Sequence, residues 1–409
     1  MSRFSYRVTE SPMRRLLLGL VLTLVASLAL VAAGCGGDDD ETTADTAADT
    51  GGAVGDTGGG GECDKSVWVL LPDSATSPRW EADDRPYFEE AFSDAGVEHT
   101  IVNAEGDAAT QQSQAEQAIA DGAGVIVLTS IDTGSGGAII DQAKEAGIDV
   151  IEYDRFNTGS SGGAAYVSFD NVAVGATMAE VLTPLIDAIG DTPRVMMLNG
   201  GEEDNNAFLF RDGYAATVEE KVAAGEWELV DDQFVPGWGA NGEGQTIMEQ
   251  ILTDADNDVD AVFAANDNLA TQAINALEAA GVGPVPLSGQ DASAAGIQQI
   301  LLGKQTMTVY KPIQAEADVA AKAALALCAG EDPGGIESEF EFATIGINAA
   351  DGKPAEAPGA EGVVPYLALT PIGVTVDNIA DTVIADGFRT IEEVCTGDTA
   401  DTEFCQENS

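Results

Sequence analysis

From Ser66 onward the chain alternates short apolar or β-branched runs with longer stretches whose apolar residues recur every three to four positions. The first pattern reads as strand and the second as amphipathic helix. The alternation predicts strand Val67–Leu71, helix Pro86–Ala95, strand Thr100–Asn103, helix Ala109–Asp121, strand Gly124–Leu128, helix Ala138–Ala146 and strands Asp149–Tyr153 and Tyr166–Phe169. A second series follows, with helix Val172–Ile189, strand Val195–Leu198, helix Ala207–Ala223, strand Leu229–Phe234, helix Gly244–Leu252 and strand Ala261–Ala264. It continues through helix Leu269–Ala280, strand Val285–Gly289, helix Ala292–Leu302, strand Met307–Tyr310 and helix Ala315–Ala329. An irregular Pro/Gly-rich region, Asp332–Pro365, precedes strand Tyr366–Val374 and helix Asn378–Asp386. Strands and helices in such alternation fold as α/β with a parallel, doubly wound sheet and right-handed crossovers. Unbroken apolar strands such as Val125–Leu128 need helices on both faces. Two similar sets predict two lobes with a cleft between them, although the halves show no sequence repeat.

The N-terminus follows different rules. Arg14-Arg15 precede the apolar run Leu16–Ala33, which ends in small residues before Cys35. A charged start, an apolar stretch and small residues describe a secretory signal. The Cys after Gly34 resembles the lipobox of bacterial lipoproteins, in which Cys becomes the lipidated N-terminus; Ala32 stands where that motif usually has Leu. The expectation is a signal peptide over residues 1–35, lipidation at Cys35 and attachment to the outer face of the cell membrane. Residues 36–62 are Gly, Asp, Thr and Ala with little to bury, which predicts a flexible acidic tether. Four cysteines remain, and outside the cell an even count suggests two disulfides with three connectivities. Sequence proximity favours Cys395–Cys405, leaving Cys63–Cys328. No CxxC spacing supports thioredoxin-type chemistry.

Charge and composition narrow the chemistry. With 17 Lys and Arg against 70 Asp and Glu, the formal net charge is −53, a field that repels nucleic acid. His99 is the single histidine, which removes most Ser-His-Asp, Cys-His and multi-histidine metal arrangements. Asp254, Asp256 and Asp258 imitate the start of a calcium loop, but Val259 stands at the turn glycine and Ala265 at the closing Glu. Gly134–Gly137 lacks the Lys-Ser/Thr of a P-loop. Neither a metal nor a cofactor is expected.

The stretch Leu287–Ile313 brings Asp291 and Lys311 to the carboxyl ends of two predicted strands, the edge where open α/β sheets bind ligands. Other strand-to-helix junctions carry Arg79-Trp80, Asp154-Arg155, Asn205-Asn206, Trp238 and Asn266-Asp267. Asp, Asn and Arg read neighbouring hydroxyls with planar donor and acceptor pairs, and an aromatic ring suits the apolar face of a sugar. Asp267, Asn268 and Asp291 also sit where helix N-caps belong, and Arg211 fits a structural ion pair.

At these positions the sequence resembles the D-xylose-binding proteins of bacterial ABC sugar importers, within the ribose-type periplasmic binding proteins. The resemblance is carried by PRW at 78–80, YDR at 153–155, VSFDN at 167–171, DNNAFLFRDG at 204–213, GW at 237–238, AND at 265–267 and the stretches 288–313 and 369–388. It implies a type I periplasmic binding protein: two Rossmann-like lobes joined by three hinge crossovers near 169–171, 311–312 and 365–369. One lobe would hold residues 63–169 and 312–365, the other 170–311 and 366–388, leaving 389–409 as an acidic C-terminal tail. It further implies a monosaccharide clamp of Arg79, Trp80, Asp154, Arg155, Asn206, Trp238, Asn266, Asp291 and Lys311. The implied protein is a monomeric binder that delivers its sugar to an ABC permease and is not an enzyme. Glucose, galactose or arabinose are alternative ligands, and a sugar sensor feeding a membrane receptor is an alternative role. A glycosidase would require a pair of carboxylates, whereas here Asn, Arg and Lys interleave with Asp. The surface acidity, the two-Cys tail and the loop Asp73–Ser77 beside Arg79 depart from the family pattern.

Overall fold

The computed structural model describes residues 63–336, 341–346 and 363–408. The signal segment, Cys35, the tether and the stretches 337–340 and 347–362 lie outside the described residues. In chain order the first elements are β1 (Val67–Leu71), α1 (Arg85–Asp94), β2 (His99–Asn103), α2 (Ala108–Ala120), β3 (Val125–Leu128), α3 (Thr133–Glu145), β4 (Asp149–Tyr153) and β5 (Ala165–Phe169). They continue with α4 (Asn171–Asp187), β6 (Arg194–Asn199), α5 (Asn205–Ala223), β7 (Glu228–Phe234), α6 (Glu243–Asp254), β8 (Ala261–Ala264), α7 (Asp267–Ala280) and α8 (Ala294–Leu301). The last are β9 (Met307–Tyr310), α9 (Ile313–Cys328), β10 (Glu341–Gly346), β11 (Val363–Leu369), β12 (Ile372–Thr375), α10 (Ile391–Val394) and α11 (Glu403–Asn408).

Seven strands form the first sheet in the order β10-β11-β5-β4-β3-β1-β2, parallel except for the β10–β11 pair. Successive residues of a strand face opposite sides, and β1 shows both covers. Val67, Val69 and Leu71 join Phe88 and Phe92 of α1 and Ala320 of α9. Trp68 and Leu70 join Ala115 of α2 and Ile139 of α3 on the other face. Each fully buried Val or Leu contributes roughly 1.5–3 kcal/mol. A bond between Cys63 and Cys328 links the chain just before β1 to the end of α9.

The second lobe is built on the parallel sheet β7-β6-β8 and the antiparallel pair β9–β12. Isolated bridges Val262↔Leu287 and Gln290↔Val309 connect the two. The stretch Val285–Gly289 is therefore not the full strand that its apolar pattern predicts. Pro284 and Pro286 flank Val285, and a proline nitrogen cannot donate to a ladder; of the stretch's backbone groups only the Pro286 carbonyl, accepting from Val262 N, and Ser288 N, donating to the Val262 carbonyl, bond to β8.

Four further expectations need correction. The run Tyr366–Val374 is two strands broken at Thr370-Pro371. All of β11 stays in the first sheet, with Leu369 opposite Phe169, so Tyr366–Leu369 belong to that sheet although the resemblance assigns 366–388 to the second lobe. Part of the region expected to be irregular, Glu341–Gly346, is the edge strand β10. The segment after Phe388 is not a loose tail: Val394 and Cys405 are buried, α10 packs on α8, and Cys395 is bonded to Cys405. Two crossings run through Asp170, whose carboxylate caps α4 at Ala173 N, and through Lys311-Pro312. Among the described residues no helix is long and apolar enough to cross a membrane.

Helices α4 and α5 cross at two glycines. A Cβ on Gly175 would collide with the Phe210 carbonyl, and one on Gly213 with the Val172 carbonyl. Because both obstacles are backbone, neither can rotate away. Gly213→Ala is expected to cost about 1–3 kcal/mol and to lower the melting temperature measured by circular dichroism; an unchanged melt would show that this crossing tolerates expansion.

Candidate functional site

The carboxyl ends of β1, β4, β6, β8 and β9 face one another across the junction of the two sheets. The space between them, its opening to solvent included, is roughly 300 Å³. From the first lobe Arg79, Trp80, Asp154 and Arg155 line it; from the second come Asn206, Trp238, Asn266 and Asp291, with Lys311 at a crossing. All nine residues named from the sequence thus share one wall. Thr76, Ser77, Asp204, Phe210 and Gln290 line it as well.

Asp154 is the junction. Its backbone has φ 61°, a conformation reserved mainly for Gly, Asn and Asp. Its carbonyl accepts from Ser168 Oγ at 2.9 Å, Tyr166 Oη at 3.2 Å and Asn206 Nδ2 at 2.9 Å. Its carboxylate accepts from Arg79 at 2.8 Å and Lys311 Nζ at 3.0 Å. Burial works against the charge, but Lys311, Arg79 and Arg155 outweigh it and hold the carboxyl well below the usual range.

Arg79 is 2% exposed and meets three carboxyls: Asp84 through Nε and NH2, Glu316 through NH2 and Asp154 through NH1. These bonds use four of its five N–H donors and leave one on NH1. The Trp80 ring lies 4.3 Å below this guanidinium and 5.5 Å from that of Arg155. Arg155 pairs with Asp204 across the cleft at 2.8 Å. Lys311 packs its ammonium near the rings of Phe169 and Phe210, at 5.6 and 5.9 Å.

The second lobe presents its groups through local devices. Asn266 caps α7 by accepting Leu269 N at 2.8 Å, which turns its amide nitrogen toward the cavity and the Thr76 carbonyl. Asn206 accepts from Asn171 and donates to Asp154, so its amide is a strut across the cleft. Trp238 follows Gly237 in a left-handed turn, φ 52°, and Asn268 Nδ2 holds its carbonyl at 3.0 Å. Gly200 lies so close to the indole that a Cβ there would meet the ring. Asp291 has φ 97°; its carboxylate accepts from Ser77 Oγ of the opposite lobe at 3.1 Å and from Gln290. It is not a cap, since Ser293 caps α8 at Gly296 N. Burial pushes the Asp291 carboxyl up, and Lys311 and Arg79 pull it back.

Asp267, which the sequence left between cap and ligand, is neither. It lies beneath the 291 turn and accepts from Ser293 N, Ser293 Oγ, Gln305 and Thr308. Arg211 pairs with Asp232 away from the cavity. Phe210 was legible, because it follows Asn206 by one helical turn. Asp84 and Glu316, buried behind Arg79, carried no comparable signal.

Fold and cleft together define a two-lobed solute binder. A family model for the periplasmic binding protein domain matches residues 68–332. The chain is 37% identical over 317 residues to the D-xylose-binding periplasmic protein of Escherichia coli, covering 77% of this chain and 88% of that one. Identity to the D-xylose-binding periplasmic protein of Haemophilus influenzae is 38% over 326 residues, 80% and 91% of the two chains. An ABC transporter solute-binding protein from Clostridium phytofermentans, solved with bound β-D-glucose, matches with a TM-score of 0.71 at 27% identity, over 81% of this chain and 100% of that one. The chain belongs to the periplasmic binding protein family, with the type I fold, and these relatives are solute binders, not enzymes.

Burial pushes the Glu316 carboxyl up to about 8, against the pull of the Arg79 guanidinium. A carboxyl whose pKa is higher in the folded state stabilises the fold fully below its ordinary value of 4.5, and that contribution is lost as pH rises through about 8. Glu316→Gln, which imitates the neutral form, is expected to flatten the decline of melting temperature between about pH 5 and 8. Parallel wild-type and variant profiles would mean that Glu316 is already ionised in that range.

Proposed function

We propose that the protein is the lipid-anchored, extracytoplasmic binding component of an ABC importer, acting as a monomer that captures a monosaccharide, D-xylose first among the candidates, between two closing lobes. The proposed lobes are residues 63–169 with 312–369, and 170–311 with 370 onward; the proposed anchor is the lipidated Cys35. The reading rests on one observation: nine hydroxyl-reading and ring-stacking residues, drawn from both lobes and a crossing, line a single cavity. Arg79 NH1, Lys311 Nζ and Asn266 Nδ2 supply donors, Asp291 supplies an acceptor, and Trp80 and Trp238 supply walls for the ring faces. The space left among these side chains is small, which favours a single sugar ring over an oligosaccharide. Three buried cations, Arg79, Arg155 and Lys311, pair with Asp84, Asp154, Asp204 and Glu316, and the buried Asp291 carboxyl lines the same cavity. An anionic sugar phosphate would enter a site without surplus positive charge, so a neutral ligand fits best. Vicinal hydroxyls suit such a site because a ligand lacking one leaves a buried group unpaired. The names of the two D-xylose-binding relatives add support for a pentose.

Titration of the mature protein by calorimetry with xylose, glucose, galactose, arabinose and ribose tests the reading. Xylose is expected to bind with a Kd near ~1 μM, about −8 kcal/mol; absence of heat with all five sugars would overturn it. Asp291→Ala is expected to abolish that binding while the melting temperature stays within a few degrees, because Ser293 and not Asp291 caps α8. Retained affinity in that variant would remove Asp291 from the clamp.

A further inference from the structure

Behind the cavity wall, and not part of its lining, lies a contact between the lobes that the sugar reading does not use. Arg389 opens the C-terminal segment and donates to Asp83 through NH1 at 3.0 Å and NH2 at 3.2 Å. Its Nε donates to the Ala292 carbonyl at 3.0 Å. Asp83 belongs to the π-helical turn Trp80–Asp84 of the first lobe, directly after Arg79. Ala292, with φ 45°, completes the left-handed turn that presents Asp291 in the second lobe. One guanidinium therefore joins the backbone behind two opposing cavity walls. The pair is largely dry, with side chains 11% and 9% exposed.

The segment carrying Arg389 is fastened to the second lobe. Val394 packs with Ile297 and Ile300 of α8, Gln298 donates to the Glu393 carbonyl at 2.8 Å, and Thr390 and Glu393 form a capping box. The Cys395–Cys405 bond closes the loop that follows, with the Thr399 hydroxyl donating to the Val394 carbonyl inside it. Such bracing gives Arg389 a fixed base from which to reach the other lobe.

We propose that Arg389 is a positioning residue for ligand capture: by tying the Asp291-Ala292 turn to the Trp80–Asp84 turn it holds the lobes closed, and the disulfide-braced C-terminal segment is its platform. The proposal deepens the sugar-binding reading and rests on it for its kinetic consequence. A bond made only when the lobes meet lengthens the life of the closed complex without adding a ligand contact, so it acts on dissociation rather than on encounter.

The test uses the full mature chain and the variants Arg389→Met, Arg389→Lys, Asp83→Asn and the double variant. Tryptophan fluorescence with xylose gives the rate constants, and a spin-label pair on the exposed faces of α2 and α6 gives the lobe separation without sugar. Arg389→Met is expected to raise koff and Kd on the order of tenfold with kon unchanged. It should also lengthen the label separation, and Arg389→Lys should fall between it and wild type. Asp83→Asn should match Arg389→Met, and the double variant should be no worse than either. A lowered melting temperature with koff and label separation unchanged would overturn the proposal, leaving Arg389 a structural pair. Should Arg389→Met fail to fold, Asp83→Asn, which keeps the bond to the Ala292 carbonyl, decides the matter. If wild type gives no signal with xylose, the sugar assignment fails, whereas the label distances still decide whether Arg389 holds the lobes together.

Discussion

Asp154 bonds at once to the neighbouring strand of its own sheet, to the other lobe and to a crossing segment. Tyr166 and Ser168 hold its carbonyl from β5, Asn206 reaches it from α5, and Lys311 meets its carboxylate from the end of β9. Arg79 completes the set from the loop after β1. A carboxylate buried to this depth is stable only when its charge is matched and its lone pairs are filled. That constraint fixes where each partner must stand, and with the partners it fixes the distance between the lobes.

Backbone strain collects around the same cavity. Asp154, Trp238 and Asp291 all have positive φ, each a cost of about 1–3 kcal/mol that the surroundings must sustain. The supports differ. Asp154 is pinned through its carbonyl, Trp238 through Asn268 and the bare backbone of Gly200, and Asp291 through the Asp267–Ser293 contact beneath it. Strain placed on strand ends, with rigid sheets behind, aims each side chain without relying on loops. The outcome is that each lobe holds its own side chains in fixed directions, which reduces the ordering entropy that capture must offset.

Much of this was legible in the chain. Unbroken apolar strands such as Val125–Leu128 announced a sheet covered on both faces, and of the junction residues all but Asn205 and Asp267 line the cavity. What pattern alone misread has identifiable causes. At Val285–Gly289 two prolines override an apolar run, and at Thr370-Pro371 a proline divides one strand into two on different sheets. Asp267 shows the limit of residue-type reasoning: a capping residue type at a capping position became a buried post, because Gly289 and Gly296 leave room for its carboxylate. Glu316 and Asp84 were invisible for the opposite reason. Their role depends on a guanidinium more than two hundred residues away in one case and five in the other, a pairing that only the folded chain makes.

The bond from Cys63 to Cys328 has a mechanical meaning. β1 lies inside its sheet between β2 and β3, and the chain enters it only a few residues after Cys63. A pull on the chain upstream of Cys63 would, without the bond, peel β1 out of the sheet one ladder rung at a time. With it, the load passes sideways into the end of α9, a helix anchored along its length by buried alanines. Whatever tugs at the front of this protein is felt by a covalent joint on the outside of the lobe, and the strand that leads to Arg79 and Trp80 is spared.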